Sequence, residues 1–178
     1  GMGIFYGCPL KTVYLGRNLI YESSYSKGYS PFYENNISDI SIGDSVTSIG
    51  DCLFGNNYNL VSVNIPRNIT SIGRSAFSGC NNLTSVTIPN SITSIKDNTF
   101  SGCSSLTSIV IPNSITSIES NAFKGCRNLV TITIPESVTS IGSDAFKDCS
   151  SLAAVHVSNI AAWCNIEFSN YVSNPLYY

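Results

Sequence analysis

The residues of this 178-residue chain whose types could do chemistry are seven cysteines, one histidine and many serines and threonines. Cys80, Cys103, Cys126 and Cys149 recur at a constant step of 23 residues. Cysteines at one position of successive coils would lie about 5 Å apart, inside the range a disulfide can bridge. Side chains stacked in this way run parallel and do not converge, and the flanking Phe and Leu positions mark an apolar interior. There Cys serves as a small hydrophobe. Cys-x-x-Cys pairs with zinc-site spacing are absent. These four are therefore expected to be core thiols, with no metal and no cofactor. His156 would need an orienting acid and a nucleophile such as Cys164 or a nearby Ser. No acid stands at a suitable spacing, and no glycine-framed nucleophile elbow is present. The expectation is that the chain is not an enzyme.

The elements that position these residues follow from the same step. Phe54, Phe77, Phe100, Phe123 and Phe146 keep it, as do Leu60, Leu83, Leu106, Leu129 and Leu152, and Pro66, Pro89, Pro112 and Pro135. A period held by four residue types marks a repeat architecture. Within one unit Val86 and Ile88 alternate with Ser85 and Thr87, the pattern of a half-buried strand. Pro89 stops that strand. Ile92 and Ile95 fit a narrow turn or a second short extended segment, and the stretch around Phe100 reads as one helical or 3₁₀ turn ending at Gly102.

Each unit is thus a single coil of strand, corner, back segment and return. Ordering it costs roughly 1–2 kcal/mol per residue in backbone entropy. Each of its inward apolar side chains contributes only about 1.5–3 kcal/mol when fully buried. That burial requires a coil above and a coil below, so stacking is obligatory. The frame predicts seven parallel strand positions: 10–15, 37–42, 60–65, 83–88, 106–111, 129–134 and 152–157. The predicted fold is a right-handed solenoid with one parallel sheet and short helical or irregular segments opposite. Its array occupies 1–157, with an irregular first coil over 10–36, and 158–178 serves as a C-terminal cap or as a connector to further repeats.

Composition narrows the function classes. Charged residues make up only 11% of the chain and the net charge is −2, with no basic run to form a nucleic-acid footprint. No apolar run approaches the roughly 20 residues that span a bilayer. No charged n-region and apolar h-region open the chain.

The pattern Ala76-Phe77-Ser78-Gly79-Cys80-Asn81-Asn82-Leu83-Thr84-Ser85-Val86-Thr87-Ile88-Pro89 resembles the BspA-like leucine-rich repeat of bacterial surface proteins. The likeness is close over 37–157 and looser over 4–36. It implies a leucine-rich-repeat fold and a cell-surface or secreted location. It also implies partners among host matrix or plasma proteins, or glycans. Trp163 to Phe168, followed by Asn174-Pro175-Leu176, resembles connectors between repeat arrays in large members, and the chain reads as a fragment of a longer protein.

The candidate contact residues lie in two places. The outward strand positions include Ser85, Thr87, Thr131, Thr133 and His156, which form a small, uncharged face. The inserted loop carries Tyr21, Tyr25, Tyr29 and Tyr33, and Tyr offers contact area at low entropic cost, the alternative being that these rings pack on the coils or cap them. Thr47, Thr70, Thr93, Thr116 and Thr139, each followed by Ser, are expected to hydrogen-bond between coils. A binding or adhesion module is the expected function. A structural spacer presenting another domain is the alternative, and weak self-association through open ends is expected.

Overall fold

The computed structural model describes residue 5 and residues 8–21 and 30–176. Its front face is built from β1 (Thr12–Leu15), β2 (Asp39–Ile42), β4 (Ser62–Asn64), β6 (Ser85–Thr87), β8 (Ser108–Val110), β10 (Thr131–Ile134) and β12 (Ala154–Val157). All seven fall at the positions the repeat frame predicts. Pairing is parallel: β1 joins β2, and β4, β6, β8, β10 and β12 run in sequence order. The ladder is interrupted between β2 and β4, which still lie side by side.

The back segment is extended, the second of the two forms its Ile spacing allows. It makes a second row of two-residue parallel strands: β3 (Ser48–Ile49), β5 (Ser71–Ile72), β7 (Ser94–Ile95), β9 (Ser117–Ile118), β11 (Ser140–Ile141) and, past the last coil, β13 (Glu167–Phe168). Here β3 pairs with β5, and β7, β9, β11 and β13 form a continuous ladder. Each strand buries its Ile and turns its Ser outward.

The third side, around the phenylalanines, contains no helix. Ser75, Asn98, Asn121 and Asp144 hold a left-handed φ near +55°, and Gly79, Gly102 and Gly125 hold one near +74°. Two left-handed positions per coil break any helical run. Backbone donors then alternate. Ser78 and Cys80 N–H groups turn back to Ser75 and Phe77 carbonyls, while Ser75, Phe77 and Gly79 donate to Asp97, Thr99 and Ser101 of the next coil. The coil is therefore hydrogen-bonded to its neighbours on all three sides, which satisfies polar backbone that would otherwise be buried at a cost.

Inside this triangle the repeat residues form columns. Phe5, Phe32, Phe54, Phe77, Phe100, Phe123 and Phe146 stack with ring centroids 5.4–5.9 Å apart and planes within 19° of parallel. The five from Phe54 to Phe146 are fully buried, beside columns of Leu, Ile and Val. Thr99 stands in a column otherwise filled by Leu53, Ala76, Ala122 and Ala145, and its hydroxyl donates to the Lys96 carbonyl at 2.9 Å.

After β12 the chain forms α1 (Ile160–Cys164), capped by the Asn159 side chain, and a short 3₁₀ turn at Tyr171–Ser173. Trp163 meets Phe168 edge-on, and Ile166 is buried in the core cluster. The segment after 157 thus extends the second row and adds apolar side chains to the end of the stack.

Candidate functional surface

The strand register sets side chains of the front face in straight rows. Thr87 stands opposite Val110, Val110 opposite Thr133, and Thr133 opposite His156. Thr131 aligns with Ser108 and Ala154. Ser85, Thr87, Thr131, Thr133 and His156 are all exposed, as the alternation requires. Val110 is exposed as well, at 75%. None of these side chains forms a hydrogen bond or ion pair among the described residues, so the fold makes no use of their polar atoms.

Threonines that precede the strands bond from coil to coil in both rows, as the Thr84 hydroxyl does to the Val61 carbonyl at 3.1 Å on the front side. The hydroxyls of Thr70, Thr116 and Thr139 donate to the carbonyls of Thr47, Thr93 and Thr116 at 3.1–3.2 Å. The expected threonine ladder is present at these three positions, and no such bond is made by the Thr93 hydroxyl among the described residues. Its N-terminal edge is closed by Asn18, whose amide donates to the Thr47 hydroxyl and accepts from the Thr47 and Ser48 N–H groups. One side chain there imitates the missing peptide of an earlier coil.

The four tyrosines of the insertion do not form one described patch. Tyr33 is buried, with its hydroxyl accepting from Asn56 at 2.7 Å. Tyr21 is half-buried and donates to the Asp51 carbonyl at 2.6 Å. Burial raises the Tyr33 hydroxyl to about 12 and pushes Tyr21 up as well, with Glu34 and Asp51 adding to the two shifts. Both rings pack on the second coil. Tyr25 and Tyr29 lie outside the described residues.

The cysteine column is an interior feature. Cys80, Cys103, Cys126 and Cys149 form no disulfide, and each is buried. Each thiol donates to a phenylalanine carbonyl of the preceding coil, those of Phe54, Phe77, Phe100 and Phe123, at 3.2–3.3 Å. Burial pushes Cys80 and Cys149 up to about 12, and Cys103 and Cys126 well above the ordinary thiol value. A thiol held protonated is neither a nucleophile nor a metal ligand at neutral pH. Among the described residues no group of His, Cys, Asp and Glu is placed to hold a metal ion.

The frame that identified these cysteines overlooked the residue at the head of their column. Asn57 stands one repeat before Cys80 and is fully buried. Its amide donates to the Phe32 and Phe54 carbonyls at 2.7 and 2.9 Å, and its oxygen accepts from Ile37 and Asn35 N–H at 2.9 and 3.3 Å. It joins the irregular first coil to the regular array. Asn57→Ala would strand these buried groups, each costing about 1–3 kcal/mol. A loss of about 2–4 kcal/mol is expected in urea unfolding. A loss below about 0.5 kcal/mol, the size of an ordinary surface change, would show that the first coil is not held through this side chain.

Comparison with known proteins matches this geometry. A family model described as the BspA type leucine-rich repeat region matches residues 27–153 in six copies. A leucine-rich cell surface protein from Faecalibacterium prausnitzii is similar at 37% identity with a TM-score of 0.68, over 71% of this chain and 33% of that one. A leucine-rich repeat protein of T. pallidum shares 37% identity with a TM-score of 0.61, over 62% of this chain and 52% of that one. One from Bacteroides ovatus shares 35% identity with a TM-score of 0.63, over 82% and 33%. The chain thus spans a third to a half of the length of these structures. No curated protein matches it. Six repeat copies, a 23-residue coil and parallel strand stacking place the chain in the BspA-type leucine-rich repeat family.

Proposed function

We propose that this chain is a non-catalytic binding module. It recognises a protein or glycan at a cell surface through the outer face of its front sheet. The observation that carries the reading is the outward row of the front strands. Ser85, Thr87, Thr131, Thr133 and His156 project into solvent with no intramolecular partner among the described residues. Polar groups held in register on a rigid scaffold and left unpaired are suited to an external partner. Tyr25 and Tyr29 of the insertion are the aromatic candidates to join that contact.

The similarity to a leucine-rich cell surface protein supports a surface location. No helix among the described residues is long and apolar enough to cross a membrane. Host matrix and plasma proteins, or glycans, are the proposed partners. Screening the chain against such proteins and a glycan panel at physiological salt tests the reading. A saturable hit is expected. A folded sample that binds nothing would favour a spacer that presents another domain.

A further inference from the structure

At one place the three-sided bonding between coils lapses. Among the described residues no backbone hydrogen bond joins β5 to β7, so the second row divides into β3–β5 and β7–β9–β11–β13. These two strands also approach each other less closely than other neighbours in the row. Elsewhere each coil donates twice to the one before. Thr116 and Glu119 N–H groups, for example, reach the Thr93 and Ile95 carbonyls at 2.9 and 2.8 Å. The equivalent N–H groups of Thr93 and Lys96 make no such bond among the described residues. The other two sides stay closed between the same coils. β4 and β6 pair through three residues each, and Ser75, Phe77 and Gly79 N–H groups bond to Asp97, Thr99 and Ser101. Phe77 and Phe100 stack at 5.8 Å.

Two departures from the repeat account for the gap. The position after the buried Ile runs Gly50, Gly73, Lys96, Glu119 and Gly142 along the stack. Glycine supplies space there. A Cβ at Gly73 would lie 2.5 Å from the Asp51 nitrogen, and one at Gly142 would lie 2.5 Å from the Ser120 nitrogen. A side chain at this corner therefore pushes its coil off the one before.

Lys96 and Glu119 both carry one, yet only the Lys96 corner is open. The Glu119 corner is drawn shut by two short bonds. Ser120 N–H donates to the Asp97 carboxylate at 3.1 Å, and Asp97 N–H donates to the Glu119 carboxylate at 3.2 Å. One coil earlier Arg74 stands in the place of Asp97 and has no carboxylate to accept the Asp97 N–H. Long side chains span that gap instead. Lys96 Nζ donates to Ser71 Oγ at 3.1 Å, and Arg74 Nε to Asp97 at 2.9 Å. The ion pair is 44% and 33% exposed, and pairs of that kind are weak and screened by salt.

We propose that this seam is a hinge, at which coil 83–105 rocks against coil 60–82 about their closed front strands. The front ladder keeps its length while the second row opens and closes, so the motion changes the curvature of the front face. At the other junctions of the row two backbone bonds resist such rocking; here none has to break. Local opening of this sort is drawn from the least bonded parts of a fold. The hinge belongs to the scaffold with no partner bound, so it stands or falls independently of the binding-module reading.

The test is amide hydrogen exchange and NMR relaxation on the whole chain. In the parent, the Thr93 and Lys96 amides should be at least tenfold less protected than those of Thr116 and Glu119. Residues 71–72 and 94–95 should show microsecond-to-millisecond broadening, the timescale of hinge motion, which 117–118 and 140–141 lack. Arg74→Asp with Lys96→Gly restores a carboxylate and a glycine at the corner. It should bring protection at positions 93 and 96 to within twofold of 116 and 119 and remove the broadening. The reverse change, Gly142→Lys, should open the β9–β11 junction and lower protection of the Thr139 amide at least tenfold. Equal protection at all junctions of the parent, or a seam without broadening, overturns the hinge. So does a folded double variant whose seam amides stay unprotected. Should that variant not fold, Gly142→Lys decides: an unchanged Thr139 amide overturns the proposal.

Discussion

Phe100→Ala is expected to destabilise the array by about 3–5 kcal/mol, the usual cost of emptying a buried phenylalanine site. The ring lies between Phe77 and Phe123 with centroid distances of 5.8 and 5.7 Å, and it is fully buried. The cavity cannot close easily. Coil spacing on either side is fixed by backbone bonds from Phe77 to Thr99 and from Phe100 to Ala122. Because each coil contacts only its neighbours, the lesion also weakens the coupling between the two halves of the stack. Urea unfolding should show a lower midpoint and a broader transition. Val110→Ala, on the exposed outer row, should stay within about 0.5 kcal/mol of the parent. A loss under 1 kcal/mol for Phe100→Ala would mean that the column is not a principal source of stability.

The second large effect is alkaline. Four buried thiols have pKa values raised by burial, to about 12 for Cys80 and Cys149, against 9.0 for a free thiol. Cys103 and Cys126 move in the same direction. Well below pH 9 both the folded and the unfolded chain keep these protons, so the thiols' contribution to stability is fully present. As pH rises towards 12 the unfolded chain releases protons that the folded chain retains, and stability falls. Each thiol contributes up to about 1.4 kcal/mol per pH unit in that window, and the four act in the same direction. Tyr33 and Tyr21 add to the loss in the same direction above pH 10, their ordinary value. Urea melts at about pH 6 and 7 should therefore coincide, with stability already lower at about pH 9 and much lower at about pH 10.5. Cys103→Ala combined with Cys126→Ala should roughly halve the slope. A flat profile between pH 9 and 11 would contradict the buried, protonated column.

The front strands were legible because alternation and a four-residue-type period agree at every coil. Pro89 and its equivalents fixed where each strand stops. The threonine ladder was legible for the same reason, as a polar residue repeated at one position beside a buried Ile. The second row of strands was harder to read, since two residues are too few to show alternation. A helical turn near Phe100 was expected from Gly102 alone. What prevents it is the second left-handed residue, Asn98, whose type varies from Ser75 to Asp144 along the column.

The insertion hid the rest. Between Phe32 and Phe54 the step is 22 residues, so a frame of 23 passes over Phe32 and Asn35. Stepping back by 22 would have aligned Phe32 with the aromatic column and Asn35 with Asn57. Tyr21 and Tyr33 are open to recognition or packing by type alone. Their hydroxyls are taken by Asp51 and Asn56, which sequence spacing does not reveal. The outward positions Ser85, Thr87, Thr131, Thr133 and His156 were readable from alternation, whereas the seam between β5 and β7 exists only once the coils are stacked.

The most direct measurement is the affinity of one partner from the screen for the parent chain and for a Thr131→Glu, Thr133→Glu variant, with melting curves recorded on both. Both positions are exposed and unbonded, so folding should be unchanged. If the front sheet is the contact surface, two buried like charges at the interface should weaken binding at least tenfold. Equal affinities for two equally stable proteins would contradict that assignment and place the contact elsewhere on the solenoid.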